Sequence, residues 1–243
     1  MQTSTTLRNR LAVGLRSAVN RSANRFSYNI TNIGVLHADM LSDERFVEIR
    51  RLVAPSTMTG IEAQYALYQL VNYAIDTGIA GDFVECGVWR GGSCLLIAEV
   101  LAERKATADI HLFDLFDMPD SQGRKYWKAV PQDEVRQTLA QSKYPAGRFV
   151  FHPGDLAETM RVTASLPERI AVLRLDSDYY DPTRAALEAL VPLVVEGGAV
   201  IIDDYGAHPD DAGRAADEFL AKRSMPVFLH RLDNGSRMWM VGS

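Results

Sequence analysis

The chain has 243 residues, 47% of them hydrophobic and 23% charged, with a net charge of −5. That length suits one α/β domain able to bury a full sheet between two helical layers, and the acidic balance offers no general attraction to nucleic acid. Apolar runs are short and broken by Pro, Gly or Asp, which excludes a stable bilayer span. Cys86 and Cys94 crowd one glycine-rich turn, which excludes a disulfide framework and makes a reducing cytoplasm the expected compartment.

The first thirty residues differ from the rest. Arg8, Arg10, Arg16, Arg21 and Arg25 occur there without an acid, and Leu7, Leu11 and Leu15 recur at helical spacing. Such a composition suits a targeting or membrane-surface helix, but a flexible arm or a contact with a partner subunit is the simpler reading. With no apolar core and cleavage site, secretion is not expected. Residues 1–42 therefore read as a basic arm and 43–243 as the folded domain, with a homo-oligomer expected.

Regular patterning starts at Asp43. Ser42 and Asp43 can cap a helix holding Arg45 to Leu52, which Pro55 ends. Thr59 can cap a second helix, whose stripe is Ile61, Tyr65, Leu67, Tyr68, Leu70, Val71 and Ile75, stopped by Gly78 and Gly81. Asp82 to Cys86 is a strand, Gly87 to Ser93 a glycine-rich turn, and Ser93 to Arg104 a helix. Ile110 to Phe113 forms a strand ending at Asp114, followed by a long polar and aromatic loop with Tyr126 and Trp127 that could stack on a ligand. Next come a helix from Gln132 to Ser142, a strand from Arg148 to His152 and a helix from Leu156 to Ser165. A branched strand, Ile170 to Leu175, leads to a helix from Pro182 to Leu193. The strand Gly198 to Ile202 ends in Asp203-Asp204, and a helix spans Arg214 to Arg223. Val227 to Arg231 and Arg237 to Val241 are the last strands, joined through the turn signal Asn234-Gly235.

Strands alternating with helices imply a Rossmann-like, doubly wound, mostly parallel α/β sheet, here with an antiparallel C-terminal hairpin strand. Ligands of such sheets sit beyond the carboxyl ends of the strands. Five successive strands end in acid: Glu85, Asp114, Asp155 after Gly154, Asp176 with Asp178, and Asp203-Asp204. One such acid is unremarkable, as a helix cap or a solvated loop residue; five together suggest one acidic cleft. Gly87-x-x-x-Gly91-Gly92 lets backbone approach a ligand, although its spacing is not the dinucleotide fingerprint and a tight structural turn would use the same residues. Asp114 is placed to accept the hydroxyl protons of a ribose.

The stretches Asp82-Phe83-Val84-Glu85-Cys86-Gly87-Val88-Trp89-Arg90-Gly91-Gly92-Ser93, Leu173-Arg174-Leu175-Asp176-Ser177-Asp178-Tyr179-Tyr180 and Ile201-Ile202-Asp203-Asp204-Tyr205 together resemble the macrocin O-methyltransferase (TylF-like) family. Gly213-Arg214-x-Ala216-x-Glu218-Phe219 matches as well, and the resemblance runs from about Ser56 to the C-terminus. It implies metal-dependent methylation of a sugar hydroxyl on a natural product, with S-adenosylmethionine as donor and a glycoside as acceptor. By that resemblance Glu85, Gly87, Gly91 and Ser93 contact the cofactor, Asp114 holds its ribose, Asp155 lies near its adenine, and Thr57 and Met58 close over it. Asp176, Asp203 and Asp204 bind the metal, and Asp178 is the general base.

The residues themselves permit this chemistry. A donor set of carboxylates without His or Cys suits a hard cation such as Mg²⁺, with Mn²⁺ or Ca²⁺ as alternatives. Asp203 and Asp204 can converge only if their strand ends before them. Asp178 can remove the acceptor's proton; should it ligate instead, water or another side chain takes that proton. His208 could touch metal or substrate, although a solvated loop residue is the simpler reading, and the cysteines read as small core residues. Arg214 either docks its helix or pairs with the acids. Asp176-x-Asp178 would also suit a metal-dependent glycosyltransferase, the main alternative, whereas the glycine spacing argues against a nicotinamide dehydrogenase.

Overall fold

A computed structural model describes residues 38–117, 129–224 and 226–242. Residues 1–37 of the basic arm and the aromatic loop with Tyr126 and Trp127 lie outside the described residues. The chain divides into two units, 1–44 and 45–243. Of the first unit, the described part is a short helix, α1 (Ala38–Ser42), whose Ser42 hydroxyl donates to the Asp39 carbonyl.

The second unit is built on a seven-stranded sheet. Its strands are β1 (Asp82–Cys86), β2 (Ile110–Asp114), β3 (Phe149–Pro153), β4 (Ile170–Leu175), β5 (Val194–Ile202), β6 (His230–Arg231) and β7 (Arg237–Met240). They lie in the order β3-β2-β1-β4-β5-β7-β6. The first five run parallel, while β7 is antiparallel to both β5 and β6. After β3 the chain crosses to the far side of β1, so strand order reverses between β1 and β4, where such sheets form their ligand crevice.

Successive side chains alternate between two buried faces. On one, Phe83, Leu112, Val172 and Ile201 meet α2 (Glu44–Val53), α3 (Ile61–Asp76), α4 (Gly92–Arg104) and α5 (Gln132–Leu139) through Ile49, Leu67, Leu95 and Val135. On the other, Val84, Phe113, Leu173 and Val200 meet α6 (Leu156–Thr159), α7 (Tyr180–Leu190) and α8 (Arg214–Leu220) through Leu156, Leu187 and Ala216. Helix α4 lies against the sheet so closely that Cys94 to Ala98 are all buried. Among the described residues, no helix is long and apolar enough to cross a membrane.

Several elements differ in extent from the sequence expectation. Gly60, not Thr59, is the N-cap of α3. Helix α6 stops at Thr159, whose hydroxyl bonds back to the Asp155 and Leu156 carbonyls, a local competitor of helix propagation. A short 3₁₀ turn, Thr163–Ser165, stands where helix was expected to continue. Strand β5 starts at Val194 because Gly197, at φ +78°, absorbs an irregularity in its pairing with β4. Strand β6 shrinks to two exposed edge residues, and a π-turn, Pro209–Gly213, precedes α8.

Candidate active site

The carboxyl ends of the strands open into a cavity of about 460 Å³. Glu85, Asp114, Asp155, Asp176, Asp178, Asp203 and Asp204 all line it, so the acids at five strand ends share one cleft.

Its β1–β2 side is shaped by backbone. Gly87 has φ +86°, and a Cβ there would fall 1.7 Å from the Asp176 carbonyl oxygen, so only glycine lets the ends of β1 and β4 close. The Val88 and Trp89 N–H groups donate to Asp114 Oδ2 at 2.7 and 2.8 Å, and the Leu115 N–H donates to Oδ1 at 2.6 Å. Asp114 thus braces the glycine turn while lining the cavity. Gly91, at φ +83°, begins α4, and its missing Cβ faces Val135, outside the cavity lining. Gly92 and Ser93 line the cavity instead, and a Cβ on Gly92 would strike the Ser56 carbonyl at 2.5 Å. That contact seats Thr57 and Met58 at the rim, with Met58 largely exposed. Asp155 caps α6 by accepting the Ala157 N–H.

Side chains shape the β4–β5 side. Register pairs Glu85 with Arg174 across β1 and β4, which places both on the same sheet face. Arg174 is 2% exposed, and Glu85 1%. Nη1 of Arg174 donates to Glu85 Oε1 at 2.5 Å and to Asp176 Oδ2 at 2.8 Å. Nη2 donates to the Thr59 hydroxyl at 2.8 Å and pairs with Asp203 Oδ2 at 2.9 Å. Burial opposes the charged guanidinium, but Asp203, Asp176 and Glu85 outweigh it and raise the Arg174 pKa well above its ordinary value. Burial likewise raises the pKa of Glu85, against the pull of Arg174. Glu85 Oε2 accepts from the Cys94 thiol; burial and the Glu85 charge hold the pKa of that thiol far above its ordinary range, and it is no nucleophile.

Strand β5 ends at Ile202, which frees the next two residues to turn together. Oxygens of Asp176, Asp203 and Asp204 all lie within 4.8 Å of one another. Asp203 Oδ1 accepts from the Ser236 hydroxyl on the hairpin turn. Burial, with neighbouring carboxylates, pushes the pKa of both Asp176 and Asp204 upward. The carboxylates of Glu85, Asp176 and Asp203 converge on one guanidinium and Asp204 adjoins them, a crowding of acids that a hard divalent cation relieves. The all-oxygen donor set fits such an ion.

Asp178 stands beside this set in the left-handed region, at φ +58°, with its N–H donating to Asp204 Oδ2 at 3.1 Å. His208, expected to be solvated, approaches Asp178 Oδ1 to 3.2 Å through Nε2 and lines the cavity. Sequence reasoning missed that contact, since nothing in the residue order marks how the loop after Asp204 folds back. It also missed Arg174, although a charge inside the apolar strand Ile170–Leu175 is a signal that buried partners await it. Arg214 stacks over the Tyr180 ring at 4.2 Å and docks its helix.

The profile of the macrocin O-methyltransferase (TylF) family matches residues 26–240. The demethyldecarbamoylnovobiocin O-methyltransferase of Streptomyces niveus is 33% identical over 198 residues, covering 75% of this chain and 74% of that protein. An 8-demethyl-8-(2,3-dimethoxy-alpha-L-rhamnosyl)-tetracenomycin-C 4'-O-methyltransferase from Streptomyces olivaceus is 35% identical over 198 residues, with the same 75% and 74% coverage. The solved O-methyltransferase NovP superposes with a TM-score of 0.69 at 30% identity, over 76% of this chain and 81% of that one. Its fold, its cleft and these relatives place the chain in the macrocin O-methyltransferase (TylF) family, whose members transfer a methyl group from S-adenosylmethionine to oxygen.

Proposed function

We propose that this O-methyltransferase is metal-dependent and methylates a sugar hydroxyl of a glycosylated natural product. The observation that carries the reading is the convergence of Asp176, Asp203 and Asp204 within 4.8 Å at the cavity, with Asp178 beside them. The sugar acceptor is supported by the tetracenomycin relative, whose name specifies a rhamnosyl 4'-hydroxyl.

The donor supplies an electrophilic methyl on a sulfonium, which departs as a neutral thioether. A hard cation held by Asp176, Asp203 and Asp204 supplies positive charge that lowers the pKa of a bound hydroxyl. The chain does the rest. Gly87, Gly92 and Ser93 let the β1 loop close on the donor, Thr57 and Met58 form its rim, and Asp114 stands where a ribose would bind. Asp155 lines the same cavity and, in this reading, would lie near the adenine. Arg174 orients Asp176 and Asp203, which leaves their remaining lone pairs for the ion. Asp178 accepts the proton of the acceptor hydroxyl at its carboxylate, and His208 holds Oδ1 of that carboxylate. Fixing donor and acceptor in one cavity removes much of the entropic barrier. The buried, unpaired Cys86 and Cys94 fit a reducing cytoplasm.

A screen of glycosides bearing vicinal diols, with radiolabelled S-adenosylmethionine, tests the reading. Methylation that needs Mg²⁺ and stops reversibly with EDTA is expected. Full turnover in EDTA refutes the metal role, and methylation of aglycone phenols alone refutes the sugar acceptor.

A further inference from the structure

A second cluster of donor groups lies at the opposite end of the sheet, where β1 and β2 begin. Asp82 opens β1, Asp109 immediately precedes β2, and His111 is the second residue of β2. One carboxylate oxygen from each aspartate and a ring nitrogen of His111 fall within 4.8 Å of one another.

His111 is 7% exposed, and its two nitrogens have different surroundings. Nδ1 lies 3.0 Å from His152 Nε2, and the two rings stack with 14° between their planes. His152 is clamped in turn, parallel to the Phe113 ring at 4.0 Å. Nε2 is buried and makes no hydrogen bond, yet it points at Asp82 Oδ2 from 3.4 Å. That separation is long for hydrogen bonding, but two donors on one tetrahedral ion, each about 2.0–2.2 Å from it, stand about 3.4 Å apart. A ligating histidine donates its other ring N–H to a neighbouring acceptor, the part that His152 Nε2 can play for Nδ1 of His111. With the Nδ1 proton on the His152 side, Nε2 turns a bare lone pair toward two carboxylates, an arrangement that a bound cation reconciles.

The surrounding charges leave room for one. Arg148 Nη1 pairs with Asp109 Oδ1 at 2.9 Å, so two carboxylates face one guanidinium. The Asp109 N–H donates to Asp82 Oδ1, which presets both aspartates. Tyr144 donates its hydroxyl to the Ala108 carbonyl next door. We propose that Asp82, Asp109 and His111 bind a divalent transition ion of the Zn²⁺ class, a structural site that pins the start of β1 to β2. Its mixed nitrogen and oxygen donors prefer such an ion to Mg²⁺, which separates it chemically from the all-oxygen trio of Asp176, Asp203 and Asp204.

The test uses the full chain, stripped with chelator, carrying Asp204→Ala to disable the cleft's acid set. Zn²⁺ titrated calorimetrically should fill one site, Co²⁺ should give tetrahedral absorption bands, and Zn²⁺ should raise the melting temperature. Adding His111→Gln should weaken Zn²⁺ binding about tenfold or more and abolish the thermal shift. Asp82→Asn, which retains the acceptor for the Asp109 N–H, should weaken Zn²⁺ similarly and guards against misfolding of the histidine variant. In the otherwise unaltered enzyme, His111→Gln should leave Mg²⁺-supported turnover unchanged. No Zn²⁺ uptake by Asp204→Ala, or uptake indifferent to both substitutions, overturns the proposal and means that His111 carries its own proton toward Asp82.

Discussion

The two walls of the cavity are made in different ways. Toward β1 and β2 the wall is backbone: glycines without room for a Cβ, and an aspartate braced by three main-chain N–H groups. Toward β4 and β5 it is charge: carboxylates gathered round one buried guanidinium. A backbone wall is specified by shape and fails through strain, whereas a charged wall keeps its shape and fails through lost electrostatics. Substitutions on the two sides should therefore separate binding of the donor from chemistry on the acceptor.

The largest separation is expected at Asp204. Asp204→Ala should lower turnover by several kcal/mol of activation energy, on the order of 10³-fold or more. Calorimetric affinity for S-adenosylhomocysteine should stay near wild type, and loss of that affinity would merge the two walls into one. Asp178→Asn comes next, with a kcat loss of about 10²–10⁴-fold and little change in Mg²⁺ dependence. Unchanged turnover removes Asp178 as the base.

Gly87→Ala probes the opposite wall. Its left-handed φ costs a side chain about 1–3 kcal/mol, and the Asp176 carbonyl must also move to admit the Cβ. A loss of cofactor affinity on the order of 10²-fold should accompany a lower denaturant midpoint, and an unperturbed variant breaks the backbone account. The smallest effect lies outside the cavity. Burial, and then the neighbouring His111, lower the His152 pKa to about 4 from an ordinary 6.5. Between those values the unfolded chain binds more protons than the folded one, so stability is complete above about pH 6.5 and declines as pH falls toward 4. In chelator-treated protein, melts at pH 7 and 5 should show a shallower decline for His152→Gln than for wild type. Equal slopes would assign the acid sensitivity elsewhere.

Period and turn chemistry made most of the sheet legible, because β1, β2 and β4 are short, mostly apolar stretches with an acid at or beside the carboxyl end and a turn beyond. The convergence of those acids was readable too, since ligands of doubly wound sheets collect beyond the carboxyl ends. What stayed hidden depended on register and loop folding. Glu85 and Arg174 are 89 residues apart and meet only because β1 pairs with β4, a neighbour relation that no local pattern encodes. Thr59 looked like a helix cap, but its hydroxyl accepts from Arg174 and leaves the cap to Gly60. Gly91 and Gly92 are adjacent and chemically identical, and only the path of the turn decides that the second lines the cavity.

The left-handed backbone of Asp178 narrows what evolution can place there. Asparagine and glycine share its tolerance for φ +58° but bring no negative charge; glutamate brings the charge but not the tolerance. With Asp178 as the proposed base, two independent filters would act on a single codon, and aspartate is the residue that passes both. Drift at this position should be far rarer than at Ser177 or Tyr179 on either side, whatever acceptor the cleft has come to serve.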